Sequence, residues 1–174
     1  MKEELRKKYL FIRKNVKDKE KKSDIIMNKI INLDEYNNSK IIALYNNLKD
    51  EVSTKKLIIY SLKIGKTIVL PRVYKNTLKF YKIKLNEKYE LSNFKIYEPY
   101  HSEYNYIKKE LIDLVIVPGI CFDIKGHRIG YGKGFYDNFL EDNMNTIGIC
   151  FKEQIREIVP YEKHDKIMKK IITD

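Results

Sequence analysis

Residues 112–151 read IDLVIVPGICFDIKGHRIGYGKGFYDNFLEDNMNTIGICF and carry most of the information about the fold. The apolar run from Ile112 to Val117, closed by Pro118-Gly119, predicts a buried strand. Phe135 to Asp142 predicts a helix, and Thr146 to Phe151 predicts another buried strand. A strand, a helix and a second strand in succession are typical of an α/β domain with a parallel sheet.

The remainder of the chain repeats this alternation of helices and strands. Helices are predicted over residues 2–16, about 20–32, and from Ser53 or Thr54 to Ile64, where Gly65 ends the helix in a left-handed conformation. Strands are predicted over residues 40–45, 67–70 with a stop at Pro71, 78–83 as an antiparallel or edge strand, and 169–173. Residues 86–110 are expected to be irregular. The chain therefore predicts one α/β domain over residues 1–174, with a mostly parallel central sheet flanked by helices.

The first predicted helix is amphipathic. Apolar residues recur at spacings of four, three and four, at Leu5, Tyr9, Ile12 and Val16. The opposite face, which we expect to be solvated, carries Lys2, Arg6, Lys7, Arg13 and Lys14.

The composition excludes several classes of protein. The chain has no stretch of about 18 apolar residues, so a membrane-spanning helix is not predicted. Its first residues show no apolar segment of the kind found in secretory signals. The two cysteines, Cys121 and Cys150, fit neither a disulfide framework nor a zinc site, and Cys121 is expected to pack in the core. We therefore expect a cytoplasmic protein with no membrane partner, and a monomer by default.

The charge balance is strongly positive. The chain has 35 Lys and Arg residues against 24 Asp and Glu residues, a formal net charge of +11. Three explanations stay open: a lysine-rich composition, a field that attracts an anionic ligand, and nucleic-acid binding. Arginine supplies only five of the 35 cations, whereas proteins that read nucleic acids favour the bidentate contacts of arginine. We therefore expect small-molecule partners and no nucleic acid.

Glycine is concentrated between the predicted strand and the predicted helix. Four of the seven glycines fall within nine residues, at Gly126, Gly130, Gly132 and Gly134. Glycines after a strand let backbone N–H groups converge on an anion, and the helix that follows adds its positive N-terminal end. Arg128 and Lys133 supply full charges. This chemistry suits a polyphosphate, and a flexible turn without a ligand is the alternative.

The segment matches neither of two common phosphate-binding motifs. A Walker A loop requires glycine where this chain has His127, and serine or threonine where it has Gly134. The run Gly130-Tyr131-Gly132-Lys133-Gly134 also lacks the third spacing of the dinucleotide fingerprint. A different kind of polyphosphate site is therefore predicted.

The run resembles the signature of the 5-formyltetrahydrofolate cyclo-ligase family, also called methenyltetrahydrofolate synthetases. That signature places Pro-Gly at the end of a strand, then Phe-Asp, then Gly-x-Arg-Leu-Gly-x-Gly-x-Gly-Tyr-Tyr-Asp. Here Ile129 stands for leucine and Phe135 for tyrosine. The resemblance extends over nearly the whole chain, through Lys2-x-x-Leu5-Arg6, Asp50-Glu51-Val52-Ser53-Thr54, Pro71-Arg72-Val73, Glu98-Pro99, Pro160, His164-Asp165 and Ile171-Ile172-Thr173-Asp174.

The resemblance implies an enzyme that converts 5-formyltetrahydrofolate to 5,10-methenyltetrahydrofolate, with ATP as co-substrate and Mg²⁺, and releases ADP and phosphate. In the route proposed for the family, the formyl oxygen takes the γ-phosphoryl group, N10 attacks, and phosphate leaves as the ring closes. Such an enzyme must align the reacting groups and neutralise the phosphoryl charge. Two other classes stay open: a basic nucleic-acid-binding or regulatory protein of the same fold, and a phosphotransferase with another small acceptor.

The resemblance also implies the ATP site. Lys133 is expected to be the catalytic cation at the γ-phosphoryl group, together with Arg128. Lys2 and Arg6 lie four residues apart on one helical face and are expected to contact phosphates. The full expected set is Lys2, Glu3, Glu4, Leu5, Arg6, Arg128, Ile129, Gly130, Tyr131, Gly132, Lys133, Gly134, Phe135 and Tyr136. The alternative for Lys2, Arg6 and Lys133 is a solvated surface.

The folate and metal sites follow from the same resemblance. Glu51 is expected to pair with the N–H groups of the pterin ring, unless it only favours the start of a helix. The expected substrate contacts are Asn46, Glu51, Tyr131, Gly132, Lys133, Gly134 and Phe135. Asp137 and Asp165 are expected to hold Mg²⁺ beside the phosphates. A helix cap for Asp137 and an exposed surface position for Asp165 are the alternatives.

Overall fold

The structure is a computed structural model that describes residues 1–92 and 97–174. The helices are α1 (Lys2–Lys14), α2 (Lys19–Ile31), α3 (Asp34–Asn37), α4 (Lys55–Lys63) and α5 (Phe135–Phe139), with 3₁₀ turns at Lys109–Leu111 and Lys152–Gln154. The strands are β1 (Ile41–Ala43), β2 (Thr67–Tyr74), β3 (Thr77–Lys82), β4 (Tyr89–Leu91), β5 (Tyr97–Pro99), β6 (Tyr106–Ile107), β7 (Leu114–Val117), β8 (Cys121–Phe122), β9 (Arg128–Ile129), β10 (Thr146–Ile149) and β11 (Lys170–Ile172). None of these helices is long and apolar enough to cross a membrane.

A seven-stranded sheet lies at the centre, in the order β11-β10-β7-β1-β2-β3-β6. The first five strands pair in parallel, whereas β3 and β6 run antiparallel to their neighbours. The pairs β4–β5 and β8–β9 form separate two-stranded ribbons. The mostly parallel α/β sheet predicted from the sequence is therefore confirmed, and so is the antiparallel direction of β3.

Both faces of the sheet are covered, which explains the unbroken apolar runs of its central strands. Successive side chains along a strand point to opposite faces. In β7, Leu114 and Ile116 join a cluster that includes residues of α2 and α4. Val115 and Val117 join a second cluster, which includes residues of α5 and β8. Burial on both faces therefore requires every position of β7 to be apolar.

Helix α1 packs on the β8–β9 ribbon rather than on the central sheet. Tyr9 of α1 shares a buried cluster with Ile120 and Cys121 at one side of the ribbon and Ile129 at the other. Cys121 is a free, buried thiol, and burial raises its pKa to about 12, so it is a packing residue as expected. This contact places the polar side of α1 next to the residues that follow β9.

Pro71 does not end β2, contrary to the prediction. The strand continues to Tyr74, and Pro71 pairs in register with Phe80 of β3. β1 pairs with β2 only as far as Val69, so the missing N–H of Pro71 interrupts no bond to β1.

Three short strands, β4, β5 and β6, lie in the region predicted to be irregular. Strands of two or three residues are too short for an alternation pattern to be recognised. Arg72 anchors the β4–β5 ribbon to β2, because its Nη1 donates to Glu90 Oε2 and to the carbonyl of Pro99, both at 2.7 Å. Part of the prediction, residues 93–96, lies outside the described residues.

Several element ends also differ from expectation. Thr54 occupies the N-cap position of α4, but its hydroxyl donates to the carbonyl of Tyr45 at 2.6 Å instead of capping the helix. Gly65 has the expected left-handed conformation, with φ of +84°. Helix α5 ends at Phe139, three residues before the predicted Asp142. The strand predicted over 169–173 is present as β11.

Candidate active site

The order of the strands creates a crevice at one edge of the sheet. In the sheet, β2 lies on one side of β1, and β7, which comes later in the chain, lies on the other side of β1. In open parallel sheets, ligands bind outside the carboxyl ends of the strands at such a switch point. A narrow crevice lies there, with about 160 Å³ of empty volume and no room for a water molecule, lined by Arg13, Tyr45, Glu51, Val52, Pro118, Gly119, Ile149 and Gln154.

A second, larger cavity of about 600 Å³ lies at the opposite edge of the sheet, beside the amino ends of β1, β7 and β10. Its lining is acidic and includes Asp34, Glu35, Glu110, Asp113 and Glu141. An acidic wall repels phosphates and carboxylates. The chemistry of the anionic ligands predicted from the sequence therefore favours the smaller crevice.

Residues 130–134, here called the glycine loop, follow β9 and reach the crevice through Tyr131, whose hydroxyl bonds the lining residues Arg13 and Glu51. Gly132 and Gly134 both have left-handed backbones, with φ of +85° and +68°. Helix α1 holds the loop from outside, since Arg6 Nε donates to the carbonyl of Gly130 at 2.9 Å. A Cβ added to Gly132 would lie 3.2 Å from Arg6 Cζ. Helix α5, with five residues, is too short to provide the helix terminus that the sequence analysis expected to bind an anion.

Beneath the loop, three polar side chains form what we call the Glu51 cluster: Arg13, Glu51 and Tyr131. The Tyr131 hydroxyl donates to Glu51 Oε1 at 2.6 Å and accepts a hydrogen bond from Arg13 Nη2 at 2.7 Å. Arg13 Nη1 lies 3.5 Å from Glu51 Oε1. Only 4% of the Arg13 surface and 7% of the Glu51 surface are exposed. The cluster therefore joins α1, the segment after β1 and the glycine loop.

The electrostatics of the Glu51 cluster keep the Tyr131 hydroxyl protonated. Burial of the hydroxyl and the negative charge of Glu51 both raise the pKa of Tyr131, and Arg13 only partly opposes them. Burial and the Glu51 carboxylate likewise raise the pKa of Tyr136. The hydroxyl of Tyr131 therefore keeps its proton and donates a hydrogen bond to the Glu51 carboxylate.

Glu51 itself does not start a helix. Helix α4 begins at Lys55, and the Glu51 side chain turns back to accept a hydrogen bond from the Leu48 N–H at 2.8 Å. The alternative role considered for this residue is therefore not seen. Asn46, another expected substrate contact, donates to the carbonyl of Tyr97 at 2.9 Å and lies on the β5 side.

Arg13 was missed by the sequence analysis, which placed it on the solvated face of α1. The structure buries it because α1 lies across the β8–β9 ribbon and presents this side of the helix to the glycine loop. A signal was available in the sequence. Arg13 follows Arg6 by seven residues, so the two share a helical face, and both contact the glycine loop.

Arg128 lies in the wall below the loop and not on its surface. It is 6% exposed, and its Nη1 donates to Asp137 Oδ1 at 2.9 Å. Its Nε has no hydrogen-bond partner within residues 1–92 and 97–174. Asp137 Oδ1 also accepts a bond from the Lys166 N–H at 3.0 Å. The Arg128–Asp137 pair thus fixes the start of α5 against the segment that follows Asp165.

Lys2 and Asp165 form a second ion pair near the same segment. Lys2 Nζ lies 2.6 Å from Asp165 Oδ2 and 2.8 Å from Glu162 Oε1. Partial burial raises the pKa of Asp165, but the Lys2 ammonium and the Glu162 N–H outweigh it and lower that pKa below the ordinary value. Asp165 therefore carries a negative charge next to Lys166, whose N–H holds Asp137.

These two carboxylates fit the donor set for Mg²⁺. Asp165 belongs to the turn at residues 162–166, and Asp137 accepts a hydrogen bond from Lys166 of the same turn. Mg²⁺ prefers one or two carboxylates together with phosphate oxygens. The hydrogen bonds of these two side chains use Asp137 Oδ1 and Asp165 Oδ2, which leaves Asp137 Oδ2 and Asp165 Oδ1 as possible ligands. No group of three or more His, Cys, Asp or Glu residues in the described part of the chain forms a complete metal site.

Lys133 differs from all these cations, because it lies exposed between Gly132 and Gly134 and has no polar partner in residues 1–92 and 97–174. The remaining residues of the expected ATP site have ordinary surroundings. Glu3 forms an ion pair with Arg6 at 2.9 Å, and Glu4 is exposed. Leu5 packs against the buried cluster between α1 and the β8–β9 ribbon, to which Ile129 belongs. Phe135 and Tyr136 pack against the cluster that contains Val115 and Val117.

The chain is similar to known proteins along its whole length. The sequence profile of the 5-formyltetrahydrofolate cyclo-ligase family matches residues 1–174. The probable 5-formyltetrahydrofolate cyclo-ligase of Schizosaccharomyces pombe is 32% identical over 167 residues, which cover 85% of this chain and 81% of the relative. The 5-formyltetrahydrofolate cyclo-ligase of Mus musculus is 28% identical over 169 residues, with coverages of 87% and 82%.

A solved structure agrees with this result. The 5,10-methenyltetrahydrofolate synthetase of Aquifex aeolicus superposes with a TM-score of 0.85 and 32% identity, and the match covers 98% of this chain and 88% of that one. The resemblance found in the glycine-rich signature is therefore confirmed by the full sequence and by the fold. The chain belongs to the 5-formyltetrahydrofolate cyclo-ligase family of enzymes.

Proposed function

We propose that this enzyme converts 5-formyltetrahydrofolate to 5,10-methenyltetrahydrofolate and consumes ATP. One observation carries the proposal: the Tyr131 hydroxyl lies 2.6 Å from the buried Glu51 carboxylate, and exposed Lys133 follows two residues later in the same loop. A carboxylate acceptor for the pterin and a cation for the phosphates are thus presented by one short segment. Two ligands that react with each other need such adjacency.

The phosphate side of the site is formed by the glycine loop and the first turns of α1. Lys133 has no polar partner in the described ranges and is the cation available to a transferring phosphoryl group. Lys2 and Arg6 approach from α1, and each is held by a neighbouring carboxylate or carbonyl. The remaining positive charge of the protein would attract the two anionic substrates. The proposal therefore includes no nucleic-acid or membrane partner.

The proposed reaction balances with ATP as the only co-reactant. The formyl oxygen attacks the γ-phosphorus, ADP leaves, and the formyl carbon becomes an activated imidate-like centre. The N10 lone pair then attacks this carbon and N10 loses its proton. The C–O bond breaks, phosphate leaves, and the methenyl bridge remains. Glu51 would orient the pterin, and Lys133 would neutralise the charge on the transferring group.

Mg²⁺ belongs to the same proposal. Asp137 and Asp165 would hold it, and when bound it would neutralise phosphate charge. Each carboxylate lies beside a cation, Asp137 beside Arg128 and Asp165 beside Lys2. The reaction is proposed for a monomer in the cytoplasm.

Incubation of the purified protein with 5-formyltetrahydrofolate, ATP and Mg²⁺ tests the proposal. We expect the near-ultraviolet absorbance of the methenyl product to develop, with one ADP released per product formed. A reaction without ATP and a reaction without the folate serve as controls. Absence of an ATP-dependent absorbance change over a range of pH and salt would contradict the proposal. Release of ADP without the absorbance change would indicate another phosphoryl acceptor.

A further inference from the structure

Arg13 has more hydrogen-bonding capacity than its surroundings use. Of its N–H groups, only one at Nη2 has a partner of good geometry, the Tyr131 hydroxyl. Within the described ranges, neither Nε nor Nη1 of Arg13 has a hydrogen-bond partner, although the residue is only 4% exposed. A buried guanidinium with unbonded donors is unfavourable in itself. Arg13 also lines the crevice between the ends of β1 and β7.

The neighbour of these donors is the acceptor that we assign to the pterin. Arg13 Nη1 lies 3.5 Å from Glu51 Oε1. Each carboxylate oxygen of Glu51 accepts one bond, from the Tyr131 hydroxyl and from the Leu48 N–H, and each has a second lone pair. The crevice therefore presents charged donors directly beside a charged acceptor.

A pterin ring has the complementary pattern on one edge. Its carbonyl oxygen O4 is an acceptor, and the adjacent N3–H and 2-amino groups are donors. We infer that Arg13 is a substrate-recognition residue that donates to O4 while Glu51 accepts from N3–H and the 2-amino group. The inference rests on the proposed function and specifies which edge of the folate this crevice reads.

Binding in this mode requires the Tyr131 hydroxyl to give way. The crevice has no room for a water molecule, and the Tyr131 hydroxyl already uses one of the two lone pairs of Glu51 Oε1. Gly130 and Gly132 flank Tyr131 and give the backbone freedom to move. The substrate then replaces the hydrogen bonds that Tyr131 made to Glu51 and Arg13. Its O4 also gives a partner to the unbonded N–H groups of Arg13.

The first experiment compares Arg13→Lys with wild type, because lysine keeps the positive charge beside Glu51 but loses the planar set of donors. We expect the KM for 5-formyltetrahydrofolate to rise about tenfold or more, as for the loss of one charge-assisted hydrogen bond. The KM for ATP and kcat should change less than about threefold. Lys14→Met, an exposed neighbour on α1, is the matched control and should behave as wild type.

The second experiment measures ligand discrimination, which a purely structural role would leave unchanged. Folic acid has the acceptor O4, and its 4-amino analogue has a donor at that position. Inhibition constants for both are measured with wild type, Arg13→Lys and Arg13→Met. We expect wild type to prefer the 4-oxo ligand by about tenfold or more and this preference to become clearly smaller in both variants. The preference that remains reflects N3, which carries a hydrogen for Glu51 in folic acid but not in the 4-amino analogue.

Each outcome decides between the two proposals. If wild type turns over and Arg13→Lys keeps both its folate KM and its preference for the 4-oxo ligand, the role of Arg13 is refuted while the function stands. A wild type that fails to turn over, but loses much of its 4-oxo preference on Arg13 substitution, refutes the function and retains the recognition role. If the KM values for folate and ATP rise equally and thermal stability falls, Arg13 only connects α1 to the glycine loop, and its role in recognition is refuted.

Discussion

Two neighbouring turns in the β8–β9 region have similar sequences but differ in how completely their polar groups are bonded. The turn at residues 123–127, here called the Asp123 turn, connects the two strands, and the glycine loop follows the second strand. Both contain a lysine next to a glycine, Lys125-Gly126 and Lys133-Gly134. The comparison distinguishes residues that stabilise the fold from residues that we propose to bind a ligand.

In the Asp123 turn the buried carboxylate is bonded within the protein, whereas the exposed ammonium of Lys125 has no polar partner among the described residues. Asp123 is 1% exposed and accepts bonds from the N–H groups of Lys125, His127 and Val159, and it also bonds the His127 ring at 3.0 Å. The His127 ring in turn stacks on Tyr161, with ring centroids 4.0 Å apart. A buried carboxylate with this many partners stabilises a single conformation.

The glycine loop has the opposite character. Lys133 has no polar partner in the described ranges, and the donors of Arg13 beneath the loop are only partly used. Unused bonding capacity in a buried group such as Arg13 requires an explanation, and a bound ligand is one that fits a crevice. Substitution of Lys133 should therefore reduce activity and leave stability unchanged, whereas substitution of Asp123 or Gly126 should do the reverse.

The largest effect is expected at Lys133. Replacement of Lys133 by alanine should lower kcat/KM about 10²–10³-fold, because it removes the cation that neutralises the transferring phosphoryl group. The urea midpoint should not move, since the side chain makes no polar contact with the described residues. Lys125→Ala is the matched control and should retain full activity. Similar activity losses in both variants would remove the distinction between the two turns.

Gly126→Ala should give the largest loss of stability. Gly126 has φ of +94°, and a Cβ there would lie 2.1 Å from the backbone oxygen of Met168. We expect the free energy of unfolding to fall by about 3 kcal/mol, with unchanged KM values for the folded protein. Gly65→Ala isolates the backbone term, because Gly65 has φ of +84° but no atom within 4 Å of the added Cβ. Its loss should be about 1 kcal/mol, and equal losses would show that the contact with Met168 relaxes.

Asp123 should make stability depend on pH. Burial raises the pKa of Asp123, but bonds from Val159 and His127 outweigh it, and the native pKa lies below the ordinary value. The native state therefore binds fewer protons than the unfolded chain, whose aspartate pKa is about 3.9. The stabilisation is complete above about pH 5 and is lost as the pH falls through the native pKa.

Asp123→Asn tests this dependence. The amide places its NH₂ group against N–H donors that now face a carboxylate oxygen. Urea unfolding at pH 7 should show a loss of about 2 kcal/mol. The gap between variant and wild type should narrow when unfolding is repeated near pH 3.5. A gap that stays constant with pH would mean that the charge of Asp123 does not contribute.

The sequence predicted the central sheet because burial on both faces leaves little choice of residue. The runs 112–117 and 146–151 are apolar at almost every position, and they form β7 and β10. The short ribbons were missed for the converse reason. A strand such as β8, with two residues, has no periodicity, and its position depends on long-range contacts such as that between Phe122 and Ile155.

The residues of the candidate site likewise fall into those that the sequence reveals and those that depend on tertiary contacts. Lys133 and the glycines could be found from the sequence, since left-handed turns require glycine and an adjacent lysine suggests a phosphate. For Arg13 the sequence offered only its seven-residue spacing from Arg6, which does not by itself distinguish a buried contact from a solvated cation. Its role depends on contacts with Tyr131, 118 residues away, and with Glu51 after β1. Local patterns reveal the loop, whereas only the tertiary fold reveals what lies beneath it.

The smallest effect is expected at Tyr161, where the Asp123 turn comes close to the proposed metal site. Its ring is 59% exposed and stacks on His127, and the next residue, Glu162, pairs with Lys2. Tyr161→Ala should lower the free energy of unfolding by about 0.5–1 kcal/mol, the value of one aromatic pair, and should leave the KM for ATP unchanged. Urea unfolding and initial rates at varied ATP measure both quantities. A raised KM for ATP without a loss of stability would place Tyr161 among the ligand-binding residues. The ligand site would then extend to the Tyr161 ring, and only His127 of the stacked pair would belong to the structural turn.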